Sequence, residues 1–383
     1  MSAPILISGG AGFIGGYLSR RLVAAGRSVR ILDALTPQVH GAAPRGLEWL
    51  SSGEVEFTRG TVTDSATWSR ALDGVETVVH LAAETGTGQS MYEVAHYTEV
   101  NVLGTARLLD LLANNRHHTV RRIVLASSRS VYGEGPYHCT GCGLPRVTPG
   151  SRTAESLSAS RWEPLCPTCG APLVALASRE DDAIRPASVY AMTKFTQEEQ
   201  VRVSCEALGI DYAIFRLQNV YGEGQSLQNP YTGILSVFST KIRHGAELPL
   251  FEDGLESRDF VHVSDVAEFL LRALDDPAPT AGVYNIGSGI PTSVAVVAET
   301  LARAYGVTPR TRVSKEYRLG DIRHGFADLT RLERRFGSRP SIDLEQGLTR
   351  FASWVLSEPI AEDRLERANR ELRDRGLMSV APR

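Results

Sequence analysis

The start of the chain constrains its fold more than any other stretch. The apolar run Ile5-Leu6-Ile7 leads into Gly9-Gly10-Ala11-Gly12-Phe13-Ile14-Gly15, and a helix-like segment through Tyr17, Leu18, Leu22 and Val23 then stops at Gly26. A short unbroken apolar run is what a strand buried on both faces requires. Strand, glycine turn and helix in that order fit a dinucleotide: glycines admit a pyrophosphate to the backbone, and the new helix offers free N–H groups and its dipole. An ordinary glycine-rich turn is the alternative.

The alternation of strand and helix continues. A second strand, Ser28 to Leu32, ends at Asp33, where a carboxylate can accept hydrogen bonds from an adenosine ribose and repel a 2′-phosphate. That predicts NAD rather than NADP, and no arginine directly follows Asp33. Val55-Glu56-Phe57, Gly60 to Asp64 and Thr77 to Ala83 come next, then a helix from Asn101 to Asn115 with Leu103, Leu108, Leu111 and Leu112 on its apolar side, then the strand Arg122 to Leu125. So regular an alternation predicts an α/β fold with a doubly wound parallel sheet. His80, inside a strand, reads as a packed residue.

Two stretches carry the chemistry. The strand at Leu125 runs into Ser127-Ser128-Arg129-Ser130-Val131-Tyr132-Gly133, beyond the carboxyl end of a strand where ligands bind in such sheets. A hydroxyl there can hold a substrate oxygen. In Ser188-Val189-Tyr190-Ala191-Met192-Thr193-Lys194, a tyrosine and a lysine stand four apart, one helical turn on one face. An ammonium beside a phenol favours the phenolate, so Lys194 is expected to lower the Tyr190 pKa and make it a base. Together these predict a nicotinamide-dependent enzyme acting on a sugar alcohol.

Composition excludes other classes. A net charge of −3 over 383 residues gives no reason to expect nucleic acid or an anionic membrane as partner. No apolar run approaches the roughly 20 residues of a membrane span. Met1-Ser2-Ala3-Pro4 enters a strand without the pattern of a secretion signal, so a cytoplasmic protein with reduced or metal-bound cysteines is expected.

Gly9 to Gly15, Asp33, Asp64, Asn101, Ser128, and Tyr190 with Lys194 resemble the extended short-chain dehydrogenase/reductase family, and within it nucleotide-sugar 4-epimerases of the UDP-galactose 4-epimerase type. The resemblance implies a Rossmann domain at 1–221 with 258–290, and a smaller α+β substrate domain at 222–257 and 291–355. It implies catalysis by Ser128, Tyr190 and Lys194. The cofactor would lie on Gly9, Gly12, Phe13, Ile14, Gly15, Asp33, Val62, Leu81, Ala82, Ala83, Thr85, Asn101, Tyr190 and Lys194, with Asp64 at the adenine. Asn219, Arg258 and Arg318 would take the substrate diphosphate, Pro249 and Phe251 its base, and Ser128 the C4 oxygen. A homodimer pairing the helices at Asn101–Asn115 and Ser188–Leu208 is implied as well.

Between Ser128 and Tyr190 the family usually has a much shorter connection. Here residues 134–186 contain Cys139-Thr140-Gly141-Cys142 and Cys166-Pro167-Thr168-Cys169. Two such knuckles fit four-thiolate tetrahedral Zn²⁺, a closed structural site; four unligated thiols are the alternative. Anchored at both ends near catalytic residues, the insertion is expected to wall or cover the sugar. With Asn229 to Leu235, it resembles bacterial dTDP-L-rhamnose 4-epimerase-type sequences. Beyond Trp354, residues 356–383 are expected to hold a weakly docked helix, Ala361 to Arg375, and a disordered end from Ser379.

Dehydratases and decarboxylases of the family carry an acid where this chain has Ser130. The remaining readings are a 4-keto-sugar reductase, a UDP-glucose or UDP-glucuronate 4-epimerase, and, outside enzymes, an idle NAD-sensing protein that grips a partner with its zinc loop.

Overall fold

The computed structural model describes residues 3–41, 46–229, 231 and 233–382. Met1, Ser2 and Arg383 lie outside them, as do Pro230 and Thr232 of the Asn229–Leu235 stretch. Seven strands form one sheet: β1 (Ile5–Ser8), β2 (Val29–Asp33), β3 (Glu56–Arg59), β4 (Thr77–His80), β5 (Arg122–Ser128), β6 (Asp211–Leu217) and β7 (Gly282–Ile286). Their spatial order is β7-β6-β5-β4-β1-β2-β3, and every pairing is parallel. All four β1 residues are buried, and Ile7 sits between Ile31 and Val79 in register, so the apolar run marks the sheet's centre.

Helices cover both faces. On one, α1 (Phe13–Ala24) brings Leu18 and Leu22 into a core shared with Val266, Phe269 and Leu270. On the other, α2 (Gly104–Asn114) and α3 (Val189–Leu208) bury Leu108, Leu112, Val201 and Cys205. Each such aliphatic side chain contributes about 1.5–3 kcal/mol when fully buried. α3 is bounded by local chemistry: Ser188 Oγ accepts from Ala191 N at 3.2 Å, and Gly209 closes the helix at φ +67°. The helix α4 (Val263–Asp275) supplies Val266, Phe269 and Leu270 beside α1.

Three expectations change. The helix predicted from Asn101 begins earlier, at Val94, and passes through a π-helical stretch, Thr98–Leu103, before α2. Asn229 to Gly245 reads in sequence as one helix, and among the described residues the helix spans Ile234–Arg243. The end expected to be disordered is ordered: Met378–Val380 (β9) pairs antiparallel with Glu316–Arg318 (β8). The preceding helix α5 (Leu365–Arg373) buries Leu365, Ala368 and Leu372, which is firm docking.

Residues 219–262 and 292–355 build a smaller α+β core from Tyr221, Leu235, Phe238, Leu248, Val297, Leu301, Leu348 and Phe351. The cysteine insertion has its own hairpin, Tyr137–Cys139 against Leu173–Ala175, over a core of Tyr137, Cys139, Val147, Cys166 and Leu173. Among the described residues no helix is long and apolar enough to cross a membrane.

Candidate active site

β1 and β4 are neighbours, and the chain leaves them in opposite directions; ligand crevices of doubly wound sheets open at this switch point. A cavity of about 590 Å³ lies there, running from the glycine turn past Ser128 and Tyr190 to Tyr231 and Leu235. Gly9, Gly12, Phe13, Ile14, Gly15, Asp33, Val62, Leu81, Ala82, Ala83 and Thr85 all line it, as do Ser128, Tyr190, Lys194 and Asn219.

The glycine turn is shaped by crowding. Gly9 has φ +73°, and a Cβ on it would lie 2.8 Å from Ala82 N; a Cβ on Gly15 would run into the Gly9 carbonyl. α1 then starts at Gly12 with no side-chain cap and no acid in its first turn, so its first N–H groups face the cavity unspent. Asp33 accepts from Ala11 N at 3.0 Å and Leu35 N at 2.8 Å, which fixes its carboxylate at the cavity edge.

Two of the expected cofactor residues sit elsewhere. Asp64 is exposed and caps the helix Ser65–Ala71, accepting from Ala66 N, Thr67 N and Thr67 Oγ1, bonds that hold its pKa below the usual carboxylate value. Asn101 is fully buried behind the wall. Its amide accepts from Glu84 N at 2.8 Å and donates to Glu84 O at 3.1 Å and Thr193 Oγ1 at 3.0 Å. The wider π turn aims it there, tying the end of β4 to α3.

Ser128 and Tyr190 meet at the end of β5. The Ser128 hydroxyl is oriented by Ser130, whose N–H and hydroxyl donate to it at 3.2 and 2.9 Å. Ser127 turns the other way and bonds Glu198, which is paired with Arg216 at 2.7 Å in the buried interior. Burial pushes the Tyr190 phenol up, while the adjoining Ser128 hydroxyl and the positive charge of Arg129 pull it down. The expected influence of Lys194 on the phenol is replaced by that of Arg129. The Lys194 ammonium instead donates to Gln197 Oε1 at 2.7 Å, and burial lowers its pKa to about 7 against the raising effect of Glu198.

Arg129 is a residue that sequence reasoning passed over. It lines the cavity, donates to Asn219 Oδ1 at 3.0 Å and forms no ion pair among the described residues. Burial and the neighbouring Arg258 lower its pKa to about 10. Its place directly after Ser128 was the available signal. Tyr231 also lines the cavity and donates to Glu371 on α5 at 2.6 Å.

Of the expected substrate residues Ser128 and Asn219 line the cavity; Pro249, Phe251, Arg258 and Arg318 are not among its lining residues. Arg258 donates to Ser257 O, Arg323 O, Ile322 O and the Asp321 carboxylate. Arg318 stacks on the Phe251 ring at 4.9 Å.

The insertion does not wall the cavity as expected: no lining residue falls within 134–186. It buttresses the neighbouring lobe. Arg152 pairs with Glu134 at 3.0 Å and Glu252 at 2.7 Å, Arg323 with Asp253 and Glu163 at 2.7 Å, and Leu157 and Trp162 pack on Tyr317 of β8. The four cysteine sulfurs lie within 4.8 Å of one another.

Comparison with known proteins gives the family. The chain is 39% identical over 357 residues to the dTDP-L-rhamnose 4-epimerase of Burkholderia thailandensis, covering 92% of this chain and 95% of the relative. A putative UDP-glucose 4-epimerase of Methanocaldococcus jannaschii is 30% identical over 353 residues, covering 92% and 98%. The solved structure of MoeE5 in complex with UDP-glucuronic acid and NAD is 27% identical at a TM-score of 0.72, covering 92% of this chain and 99% of that one. Residues 5–146 and 169–287 match the profile of one family, and the gap between them falls inside the cysteine insertion. The chain therefore belongs to the NAD dependent epimerase/dehydratase family.

Proposed function

We propose that this chain is an NAD-dependent nucleotide-sugar 4-epimerase, an isomerase acting on a dTDP- or UDP-linked hexose, with a dTDP-L-rhamnose-type sugar as the first choice. The carrying observation is that Ser128, Tyr190 and Lys194 line one cavity with the glycine cradle. The Burkholderia relative supports the choice of sugar.

The cradle suits NAD. Unspent N–H groups at the start of α1 would hold the pyrophosphate, and Asp33 the adenosine ribose. When bound, NAD supplies the acceptor and then the donor of the C4 hydride, with no net redox change. Tyr190 removes the C4 hydroxyl proton and returns it, Ser128 hydrogen-bonds the C4 oxygen, and Lys194 holds the nicotinamide ribose. Arg129 lowers the cost of the phenolate. Ser130 supplies no carboxylic acid, so a proton donor for elimination is missing at that position. Asn219 and Arg318 take the diphosphate, and Pro249 and Phe251 the base.

The four thiolates are a structural Zn²⁺ site. Neighbouring sulfurs stand 3.5–3.7 Å apart. Tetrahedral Zn–S bonds of about 2.3 Å impose a spacing of about 3.8 Å. The backbone N–H groups of Leu144, Thr168, Cys169 and Ala171 favour the thiolate forms, while the neighbouring thiols raise Cys142 and Cys169. A homodimer is supported by exposed Val94, Leu103, Met192 and Val203 on the two helices that would pair.

The test is incubation of the purified protein with a panel of dTDP-, UDP- and GDP-sugars, reading C4 configuration by NMR. Epimerisation without added NAD(H) is expected; net consumption of NAD(P)H would identify a 4-keto-sugar reductase instead.

A further inference from the structure

The strand that carries Arg318 has one strand partner among the described residues, the C-terminal β9, with Arg318 opposite Met378. Leu319 N donates to Leu377 O at 2.9 Å and Ala381 N to Lys315 O at 3.0 Å, extending the ladder at both ends. The Arg318 side chain is held from the same quarter: its Nη2 donates to Asn369 Oδ1 of α5 at 2.9 Å. Asn369 is buried.

The charge on Arg318 is only partly offset, by Asp321 and Glu316 at longer range. Its Nε is buried without a hydrogen-bond partner, and it forms no ion pair among the described residues. Asp321 is engaged by Arg258 at 2.9 Å, and Glu316 by Arg373 at 2.6 Å. A guanidinium with a buried, unpaired N–H is costly until an oxyanion completes its fork. An amide can orient it without cancelling its charge; a carboxylate at the same place would do both.

We propose that Asn369 is a positioning residue of substrate binding, and that the C-terminal segment thereby completes the diphosphate site. This rests on the reading that Arg318 takes the diphosphate. Glu371, two residues on, anchors the same helix by accepting from Tyr231 at 2.6 Å and Tyr92 at 3.1 Å, and Tyr231 lines the cavity.

Asn369→Asp keeps the shape and adds the charge. With full-length, NAD-loaded protein, it is expected to raise KM for the nucleotide sugar by roughly tenfold, the equivalent of about 1.4 kcal/mol. The Kd of dTDP or UDP should weaken by the same factor, while kcat and NAD content stay near wild type. Asn369→Ala, which removes the amide without adding charge, should weaken the nucleoside diphosphate less than Asp does. On an Arg318→Ala background, Asn369→Asp should cost nothing further. Should Arg318→Ala weaken the diphosphate while Asn369→Asp does not, or should Ala be the worse substitution, the positioning role is overturned. If Arg318→Ala itself binds dTDP and UDP as wild type does, the assignment of Arg318 falls first and this inference with it.

Discussion

Lys194 donates to Gln197 Oε1 at 2.7 Å, three residues further along the same helix, and Gln197 passes the contact inward. Its amide donates to Thr105 Oγ1 at 2.7 Å, Thr105 bonds His80 Nε2 at 2.9 Å, and His80 Nδ1 meets Ser8 Oγ at 2.6 Å. Burial lowers the His80 pKa to about 3, so the ring is neutral and part of the packing, as its strand position implied. The lysine is thus held by a neutral polar chain reaching β1, and its charge is poorly compensated.

That has a consequence for stability against pH. The folded pKa of Lys194 is about 7, below the 10.5 of a free lysine. Below pH 7 both states are protonated and the cost of burying the charge is full; between 7 and 10.5 the unfolded chain holds a proton that the folded one has released, so stability rises with pH. In urea unfolding of NAD-stripped protein, wild type should gain on Lys194→Met by roughly 1 kcal/mol per pH unit across that window. A difference that stays flat from pH 6 to 9 would contradict the lowered value.

Tyr190→Phe removes the phenol beside Ser128 without touching the cradle. Turnover should fall by at least the roughly 10²–10⁴-fold typical of a lost general base. NAD released on denaturation should remain at the wild-type amount. Retained activity would remove Tyr190 from the chemistry; loss of NAD with activity would make it a binding residue instead.

What could be read from the chain alone is what short-range pattern determines. The glycine cradle and the Tyr190–Lys194 spacing each depend on neighbours within a few residues, and Gly9, Gly12, Gly15, Tyr190 and Lys194 line the cavity. The two Cys pairs were legible in the same way. The π turn at Asn101 was not, because one extra residue in a helical turn leaves no mark on apolar periodicity. Nor was the use of Asp64 as a helix cap, since an aspartate before a helix and one beside an adenine look alike in sequence. Arg152 with Glu252 and Arg318 with Asn369 are contacts that only the closed fold creates.

Metal analysis of the purified protein should find one Zn²⁺ per chain, and Cys139→Ser with Cys166→Ser should abolish it. The insertion packs on Asp253, Tyr317 and Arg323, on the substrate side of the cavity, and makes no part of the cradle. Metal loss is therefore expected to raise KM for the nucleotide sugar while NAD stays bound. Chelation that leaves metal content, melting temperature and sugar affinity alike would refute the zinc site's structural role.

Arg152 is the clearest point at which to separate the insertion from its support. Its side chain is 3% exposed and bridges Glu134 and Glu252, which are 2% and 6% exposed. Arg152→Met would leave Glu134 buried without its cation and Glu252 with Arg323 alone at 3.1 Å, a loss of up to about 3–5 kcal/mol by the usual cost of breaking a buried pair. Burial already raises the Glu134 pKa and the Arg152 charge opposes it, so removing Arg152 should raise it further. Glu134 would then take up a proton in the folded variant, and the deficit against wild type should shrink as pH falls from 7 to 5. Arg152→Met with Glu134→Gln should recover part of the loss, since the stranded charge is gone. A single variant as stable as wild type at pH 7, or a deficit that grows on acidification, would mean that water reaches these groups and that the insertion is held by its apolar contacts alone.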